Sequence, residues 1–172
     1  MTKLIIPLFA FFLISCNATT YYVVRHAEKE TTTSNISKDA SMSTMSTDVP
    51  LSEEGKQRAV ALKDILQNQK VSQIYSTNYI RTKTTAQPLA DALGITIQTY
   101  NPGDSVFLNS LRKINNSNVL IVGHSNTVDD LVNNLAGEKL VPGDLPDSQY
   151  GNLFILKKKS GKVKYEMKHF GK

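Results

Sequence analysis

Short apolar segments alternate with amphipathic helical patterns along most of this chain, and this alternation constrains its fold more than any other feature. The segment VLIV at 119–122 is continuously apolar, which is typical of a central strand in a parallel sheet. Parallel neighbours need a long crossover, which is usually a helix. Four strands that alternate with helices, followed by a hairpin, therefore predict a three-layer α/β/α sandwich. Its central sheet should be mostly parallel, with an antiparallel C-terminal hairpin.

Local signals mark the ends of these elements. Ser52 is the expected N-cap of a helix that runs to about Gln69, and Asp104 can cap a later helix. Pro88 is expected to kink or break the helix that follows the second strand. The expected strands are 21–24, 71–76, 95–100, 118–124 and the two arms of a hairpin around the turn at 160–161, and the expected helices are 52–69, 77–93, 104–114 and 127–135.

The composition indicates one globular domain. The 172 residues are 40% hydrophobic and 20% charged, which are values typical of folded chains. The net charge of +5 is mild, and the excess lysines lie mostly in the C-terminal hairpin instead of forming a basic stripe with aromatic residues, so we expect no nucleic-acid partner. Lysines at that place are typical of an edge strand that is kept unpaired, and attraction to anionic lipid is the alternative.

The first residues have the pattern of a targeting segment. Lys3 precedes an almost wholly apolar stretch at 4–14, which is too short to span a bilayer and fits the apolar region of a signal peptide. The following Leu-Ile-Ser-Cys resembles a bacterial lipoprotein signal, and Cys16 is the single cysteine of the chain. We therefore expect a signal peptide at 1–15 and a domain at 16–172. This domain would be exported and lipid-anchored to a membrane of the cell envelope through Cys16, on its periplasmic or surface face.

A polar tract rich in Ser and Thr occupies residues 29–50 and shows neither helical nor strand periodicity. Its 22 residues exceed the usual length of a connection in a compact domain. It leaves directly from the end of the first strand. It is either a lid or rim over a functional site at that end, or an insertion without a role.

Charged and titratable residues follow three of the predicted parallel strands. Arg25 and His26 end the first strand, Arg81 follows the second, and His124 follows the fourth. In an open parallel sheet these ends gather at one edge, where ligands bind. Guanidinium groups match the oxygens of a phosphate, and histidine can donate hydrogen bonds or act as a nucleophile. The sequence therefore predicts a site for phosphate or another tetrahedral anion, and it offers no clustered ligands for a metal.

These residues lie within four longer motifs. The motifs are RHAE at 25–28, LSEEGKQRA at 51–59, TNYIRTKTTA at 77–86 and GHSN at 123–126. Together, in this order, they resemble the signature of the histidine phosphatase superfamily, whose members have the phosphoglycerate mutase-like fold. The resemblance covers about residues 20–160.

The resemblance implies a role for each site residue. His26 would attack phosphorus and become a phosphohistidine, and water would then hydrolyse this intermediate. Arg25, Arg81 and His124 would hold the phosphoryl oxygens and stabilise the charge of the transition state. His26 would need to be neutral, with one ring N–H held by an acceptor such as the backbone. The implied activity is a metal-independent hydrolysis of phosphomonoesters or phosphoramidates without a cofactor, on a phosphorylated small molecule or a phosphoprotein.

The proton donor for the leaving group is not evident. The larger branch of the family uses a Glu between the positions of Arg81 and His124, and no Glu lies there in this chain; another branch has Asp where this chain has Ser125. Asp104 and Glu28 are the remaining candidates, although Asp104 also fits a helix cap. Short phosphohistidine phosphatases of the family manage without a dedicated acid. The alternative function is a phosphoryl-ligand binding lipoprotein, or a degenerate phosphatase without turnover.

Overall fold

A computed structural model describes residues 18–31 and 48–172. The expected signal peptide, the expected lipid anchor at Cys16 and the centre of the polar tract, residues 32–47, lie outside the described residues. Among the helices of the two described ranges, none has the length and apolarity that crossing a bilayer requires.

The described chain alternates between strands and helices before it closes with a hairpin. In chain order the elements are β1 (Ala18–Arg25), α1 (Glu53–Leu66), β2 (Val71–Thr77), α2 (Ile80–Leu93), β3 (Ile97–Tyr100), α3 (Ser105–Lys113), β4 (Asn118–Gly123), α4 (Val128–Ala136), β5 (Asn152–Lys159) and β6 (Lys162–His169). The turn between β5 and β6 consists of Ser160 and Gly161, which both have positive φ, as a two-residue hairpin turn requires.

The six strands form one sheet in the order β3-β2-β4-β1-β5-β6. The pairs β3-β2, β2-β4 and β4-β1 are parallel, whereas β5 pairs antiparallel with both β1 and β6. Strands β1 and β4 therefore lie at the centre of the sheet. The predicted mostly parallel sheet with an antiparallel C-terminal hairpin is confirmed.

Alternate residues of the central strands face two separate cores. Tyr21 and Val23 of β1 pack with α3 and α4, whereas Tyr22 and Val24 pack with α1 and α2 on the opposite face. All four side chains are buried. This double-sided burial explains why the central strands are apolar throughout, and it confirms the three-layer α/β/α arrangement.

Helix α2 continues through Pro88 to Leu93, the predicted end, so the proline does not break it. Thr85 and Ala86 before the proline are buried, and so are Leu89 and Ala90 after it. Burial on both sides favours a continuous helix, although proline removes one backbone hydrogen bond. The helix ends at Gly94, whose left-handed conformation forms the C-cap.

Several element ends differ from the predicted ones by a few residues. Helix α1 ends at Leu66 instead of Gln69, and α2 begins at Ile80 because 78–79 form a bend after β2. Strand β3 begins at Ile97 instead of residue 95, since Ile95 donates its N–H to Ala90 at the end of α2. Residues at the end of a helix or strand can also belong to the turn beside it, and the hydrophobic periodicity alone does not fix the boundary.

The start of α1 packs directly on the chain that follows β1. Ser52 is the N-cap, its Oγ accepts the N–H of Gly55 at 3.1 Å, and its own N–H donates to the carbonyl of Glu28 at 2.9 Å. A Cβ on Gly55 would lie against that same carbonyl oxygen, far inside van der Waals contact. Gly55 therefore permits the close approach that places α1 beside the residues after His26.

We predict that Gly55→Ala lowers the free energy of unfolding by about 1–3 kcal/mol, because the added methyl group forces two backbones apart. The same change inside a helix normally raises stability by about 0.5–1 kcal/mol, so the sign is diagnostic. Urea unfolding followed by circular dichroism measures the difference. Gly143→Ala is the matched control, since nothing lies within 4 Å of a Cβ there. Stabilisation by Gly55→Ala would show that the close approach is absent.

Candidate active site

The carboxyl ends of β1 and β4 bring two histidines together. Arg25 is paired with Gly123 in the parallel register, and the next residue, His26, donates its backbone N–H to the carbonyl of Gly123 at 2.9 Å. The rings of His26 and His124 then meet edge to face, with their centroids 5.4 Å apart. Both histidines are buried.

His26 is held as a neutral imidazole in one tautomer. Its Nδ1 lies 2.7 Å from the carbonyl oxygen of Ala27, and because a carbonyl only accepts, Nδ1 carries the proton. Burial, together with the charges of Arg25 and Arg81, lowers the pKa of His26 to about 3 against the opposing effect of that hydrogen bond. His26 is therefore unprotonated at Nε2 at neutral pH, and Nε2 is the nitrogen that is suited to attack an electrophile.

Thr85 ties the residue after His26 to helix α2. Its Oγ1 accepts the backbone N–H of Ala27 at 2.9 Å and donates to the carbonyl of Arg81 at 2.8 Å. This threonine is fully buried. One hydroxyl group thus fixes the position of Arg81 relative to the backbone that carries His26, which explains why the motif at 77–86 contains a threonine four residues after its arginine.

Arg25 is buried and contacts the segment before β5. Its Nη1 donates to the carbonyls of Pro146 at 3.0 Å and Asp147 at 3.3 Å, and its Nη2 contacts the Asp147 carboxylate at 3.2 Å. The guanidinium group stacks on the ring of Tyr150 at 4.1 Å. Its Nε is buried and has no hydrogen-bond partner in the described part of the chain. The predicted anion-binding Arg25 is therefore at the site, but its terminal nitrogens already have acceptors.

Arg81 lies at the first turn of α2 and faces His124. Its Nη2 is 3.3 Å from Nδ1 of His124, its Nη1 is 3.8 Å from the carboxylate of Asp48, and its guanidinium group stacks on Tyr79 at 4.5 Å. Asp48 also accepts the backbone N–H of Ile80 at 2.7 Å, which closes the end of the polar tract onto the start of α2. The C-terminal end of that tract thus forms part of the rim of the site.

His124 contacts Thr77 at the end of β2, with Nε2 2.8 Å from Oγ1 of Thr77. Burial lowers the pKa of His124 to about 4, and the nearby charges of Arg81 and Arg25 add to this effect while Asp48 opposes it. His124 is therefore neutral at neutral pH, like His26.

A cavity of about 510 Å³ opens beside this group. Tyr79, Arg81 and His124 line one side of it, and Tyr100, Asn101, Pro102, Asn78, Asn126 and Thr127 line the rest. A larger cavity of about 750 Å³ lies between α3 and α4 and contains none of the four predicted site residues. Of the four predicted site residues, Arg81 and His124 line the smaller cavity, whereas Arg25 and His26 are not among its lining residues. The smaller cavity is the candidate binding site, because it adjoins His124, whose ring contacts that of His26.

Neither predicted candidate for the proton donor is placed to act as one. Burial raises the pKa of Glu28, but two hydrogen bonds from Arg58 at 2.8 and 2.9 Å outweigh it, so that the pKa is lowered and the carboxylate stays ionised. Asp104 caps α3 by accepting the N–H of Val106 at 2.8 Å, and it does not line the cavity beside His124. Glu28 is a structural anchor for Arg58, which also donates to the carbonyl of Phe170 near the C-terminus.

Sequence reasoning missed four residues that contact the site. Thr77 could have been found, since it directly follows the second predicted strand and shares a motif with Arg81. Asp48, Asp147 and Tyr150 belong to irregular segments without periodicity, so no sequence pattern indicated that they would reach the arginines. Among the described residues, no group of three or more His, Cys, Asp or Glu side chains could hold a metal ion.

Solved structures share this fold over almost their whole length. The protein histidine phosphatase SixA in complex with tungstate has a TM-score of 0.63 and 18% identity, covering 87% of this chain and 96% of its own. SixA from Agrobacterium tumefaciens has a TM-score of 0.60 and 20% identity, covering 89% and 97%. A mycobacterial glucosyl-3-phosphoglycerate phosphatase has a TM-score of 0.58 and 14% identity, covering 88% and 98%. No curated protein matches the chain.

The family model of the histidine phosphatase superfamily (branch 1) matches residues 21–101. Over these residues the chain is similar to the histidine phosphatase superfamily. The matched segment contains Arg25, His26 and Arg81, whereas His124 lies beyond it on β4. Members of this superfamily are typically phosphatases or mutases that act on phosphoryl groups, and the site described above is compatible with that general chemistry.

We predict that Glu28→Gln leaves the rate of phosphoryl transfer within about two-fold of the parent, because Glu28 is an ionised partner of Arg58 and not an acid. A loss of about 100-fold, the size expected for a general acid, would contradict this assignment. Steady-state assays with an alkyl phosphate and an aryl phosphate measure both cases.

The same variant should lower the free energy of unfolding by about 1–3 kcal/mol at neutral pH. Since the pKa of Glu28 is lowered in the folded chain, its contribution is present above the unfolded pKa of ~4.3 and is lost as the pH falls through the lower folded value. The difference between parent and variant should therefore shrink below about pH 4. The exposed Glu54→Gln, one turn before Arg58 in α1, is the control and should show a smaller, less pH-sensitive change.

Proposed function

We propose that this chain is a metal-independent phosphatase that hydrolyses phosphomonoesters or phosphoramidates through a phosphohistidine on His26. One observation supports this most directly. A buried, neutral His26 has its Nδ1 proton held by the backbone, which leaves Nε2 unprotonated, and its ring lies near two arginines and a second neutral histidine. A nucleophile held in one tautomer beside paired guanidinium groups is the arrangement that phosphoryl transfer to histidine needs.

In the first step, Nε2 of His26 forms a bond to phosphorus as the bond from phosphorus to the leaving group breaks. The leaving group departs with the electron pair and takes up a proton. Arg25 and Arg81 stabilise the charge on the phosphoryl oxygens, with His124 in contact with one of these oxygens, and such electrostatic stabilisation is usually the largest contribution in this chemistry. The unpartnered Nε of Arg25 supplies a donor that needs an acceptor.

In the second step, water attacks phosphorus and the bond from phosphorus to Nε2 breaks, with its electron pair returning to the ring. Inorganic phosphate leaves with the protons of the water. The backbone hydrogen bond to Nδ1 is unchanged throughout, so His26 returns to the tautomer in which it began.

The alternative proposal is a module that binds phosphoryl ligands without turnover. It is favoured by the contacts of Arg25, whose terminal nitrogens are occupied by Pro146 and Asp147. It is also favoured because neither Glu28 nor Asp104 can serve as the acid. The two proposals differ in whether an aryl phosphate, whose leaving group needs no acid, is hydrolysed.

We predict that His26→Ala lowers the rate of hydrolysis of an aryl phosphate by at least about 10³-fold, since the covalent step is lost. A chelator should leave the activity of the parent unchanged. With a radiolabelled phosphate donor, a phosphohistidine labelled at Nε2 of His26 should be trapped, and its label should be sensitive to acid and stable to alkali. His169→Ala is the matched control, because this exposed histidine lies at the end of β6. Phosphate binding without any turnover by the parent would favour the binding module.

We further propose that the domain acts in the cell envelope, anchored through a lipid on Cys16. Support comes from the apolar stretch at 4–14, the Leu-Ile-Ser-Cys pattern and the proximity of Cys16 to β1, which begins at Ala18. A domain tethered by so short a connection would stay close to the membrane surface. The substrate would then be a phosphorylated small molecule or phosphoprotein that reaches the envelope.

We predict that the full chain expressed in a bacterium fractionates with membranes and that Cys16→Ser moves it to the soluble envelope fraction. Two or more acyl chains would hold the domain stably at the membrane, whereas a variant without acyl chains would keep only a weak attraction to the membrane surface. Labelling with a radioactive fatty acid measures the modification directly. Label that persists in Cys16→Ser, or membrane association that is unchanged, would contradict the anchor. Ser15→Ala serves as the control, because it keeps a small residue before Cys16.

A further inference from the structure

The contacts of His124 determine which of its ring nitrogens carries the proton. A guanidinium group has donors and no acceptor. Since Nη2 of Arg81 lies 3.3 Å from Nδ1 of His124, Nδ1 must accept, and the proton of the neutral ring is on Nε2. Nδ1 of His124 thus presents a lone pair to the site, not an N–H group.

A chain of buried hydroxyl groups leads to the same assignment independently. Thr82 uses its hydroxyl proton on the carbonyls of Thr77 and Tyr79, each at 3.0 Å. Its Oγ1 can therefore only accept from the hydroxyl of Thr77, at 2.9 Å. Thr77 has then used its own proton and accepts from Nε2–H of His124 at 2.8 Å.

Reversing the tautomer of His124 would cost a buried hydrogen bond. Thr77 would have to donate to Nε2, and its bond to Thr82 would be lost. Both threonines are fully buried, so no solvent replaces the lost partner. A buried polar group that is left without a partner costs more free energy than the hydrogen bond itself contributes. The tautomer with an unprotonated Nδ1 is therefore preferred even when a ligand moves Arg81 away.

The charged and titratable groups around His124 come from four parts of the fold. Arg25 and His26 face it from β1, Arg81 and Tyr79 from the start of α2, Asp48 from the end of the polar tract, and Tyr100 lines the same cavity from β3. Burial raises the pKa of Tyr100, and its hydroxyl contacts the carbonyl of Val122 at 3.3 Å. The donor that contacts Nδ1 of His124 is Arg81.

We propose that the site binds a phosphoryl group together with a proton, which lies between a phosphoryl oxygen and Nδ1 of His124, and that this proton is delivered to the leaving group. The proposal rests on the proposed function and deepens it, because it names the monoanion of the phosphorylated substrate as the reactive form. Thr77 and Thr82 are positioning residues that hold His124 in the tautomer which accepts this proton.

The step balances without a protein acid. The monoanion places its P–OH group against Nδ1, and Arg81 turns from His124 to the other phosphoryl oxygens. As Nε2 of His26 forms its bond to phosphorus, the bond to the leaving oxygen or nitrogen breaks. The proton moves from the phosphoryl oxygen to that departing atom. The products are a neutral leaving group and a phosphohistidine with two negative charges on its phosphoryl oxygens and one positive charge on the ring.

Proton uptake on binding inorganic phosphate tests this inference directly. Calorimetric titrations in buffers of different ionisation enthalpy give the number of protons taken up, at about pH 5 and about pH 8.5, on either side of the second pKa of inorganic phosphate. We expect an uptake near zero at the lower pH. At the higher pH we expect an uptake of roughly one proton per phosphate bound, or an affinity for phosphate at least about ten-fold weaker than at the lower pH. Tight binding of the dianion without proton uptake would overturn the inference, and would leave the phosphatase proposal standing.

Variants of Thr77 separate the role of the tautomer from a merely structural one. Thr77→Val keeps the shape and removes the acceptor of Nε2–H, so Nδ1–H becomes accessible and the uptake at about pH 8.5 should fall to well below one proton. Thr77→Ser keeps the hydroxyl group and should retain the parental uptake. Thermal unfolding checks that both variants are folded. If Thr77→Val does not fold, the parental measurement still decides the matter. Equal uptake in a folded Thr77→Val would overturn the role of Thr77, and no phosphate binding at either pH would overturn both proposals.

Discussion

The parallel pairing of β1 with β4 at the centre of the sheet is the contact on which the rest of the site depends. It joins segments about one hundred residues apart in the chain and sets Arg25 opposite Gly123. The residues that follow, His26 and His124, then have to lie side by side. Gly123 contributes to this geometry, because a Cβ there would press on the hydroxyls of Thr127 and Tyr100. Strand β2 on the other side of β4 adds Thr77, and the helix after it adds Arg81.

A central position in the sheet also determines the charge state of these groups. Burial lowers the pKa of His26 to about 3 and that of His124 to about 4, so both rings remain neutral while the neighbouring arginines remain charged. Buried arginines in turn need acceptors. Arg25 finds them in the segment before β5 and Arg81 in Asp48. The irregular segments at the rim of the site therefore supply the acceptors that the arginines at its centre need.

The alternation of apolar and amphipathic segments was sufficient to predict the layers, the order of elements and the meeting of Arg25, His26, Arg81 and His124 at one sheet edge. These are properties of residues whose environment repeats along a strand or helix. The sequence left open whether Pro88 kinks or breaks α2, and the helix proves unbroken; this could not be decided beforehand, because burial on both sides of the proline depends on neighbours that are distant in sequence. For the same reason the contacts of Asp48 and Asp147 left no pattern to detect. The catalytic roles of the four residues remain predictions.

The two ways in which Arg25 is held differ greatly in strength, and this difference bears on whether the site can accept a phosphoryl group. The side chain of Asp147 is 99% exposed, so its ion pair with the buried Arg25 resembles a surface pair, which contributes about 0–1 kcal/mol. The backbone carbonyls of Pro146 and Asp147 accept from Nη1 alone. A phosphoryl oxygen could therefore displace the carboxylate from Nη2 at little cost and also engage the unpartnered Nε, while the carbonyls keep the guanidinium group in place. The contact with Asp147 is thus better understood as a substitute for the anion than as an obstacle to it.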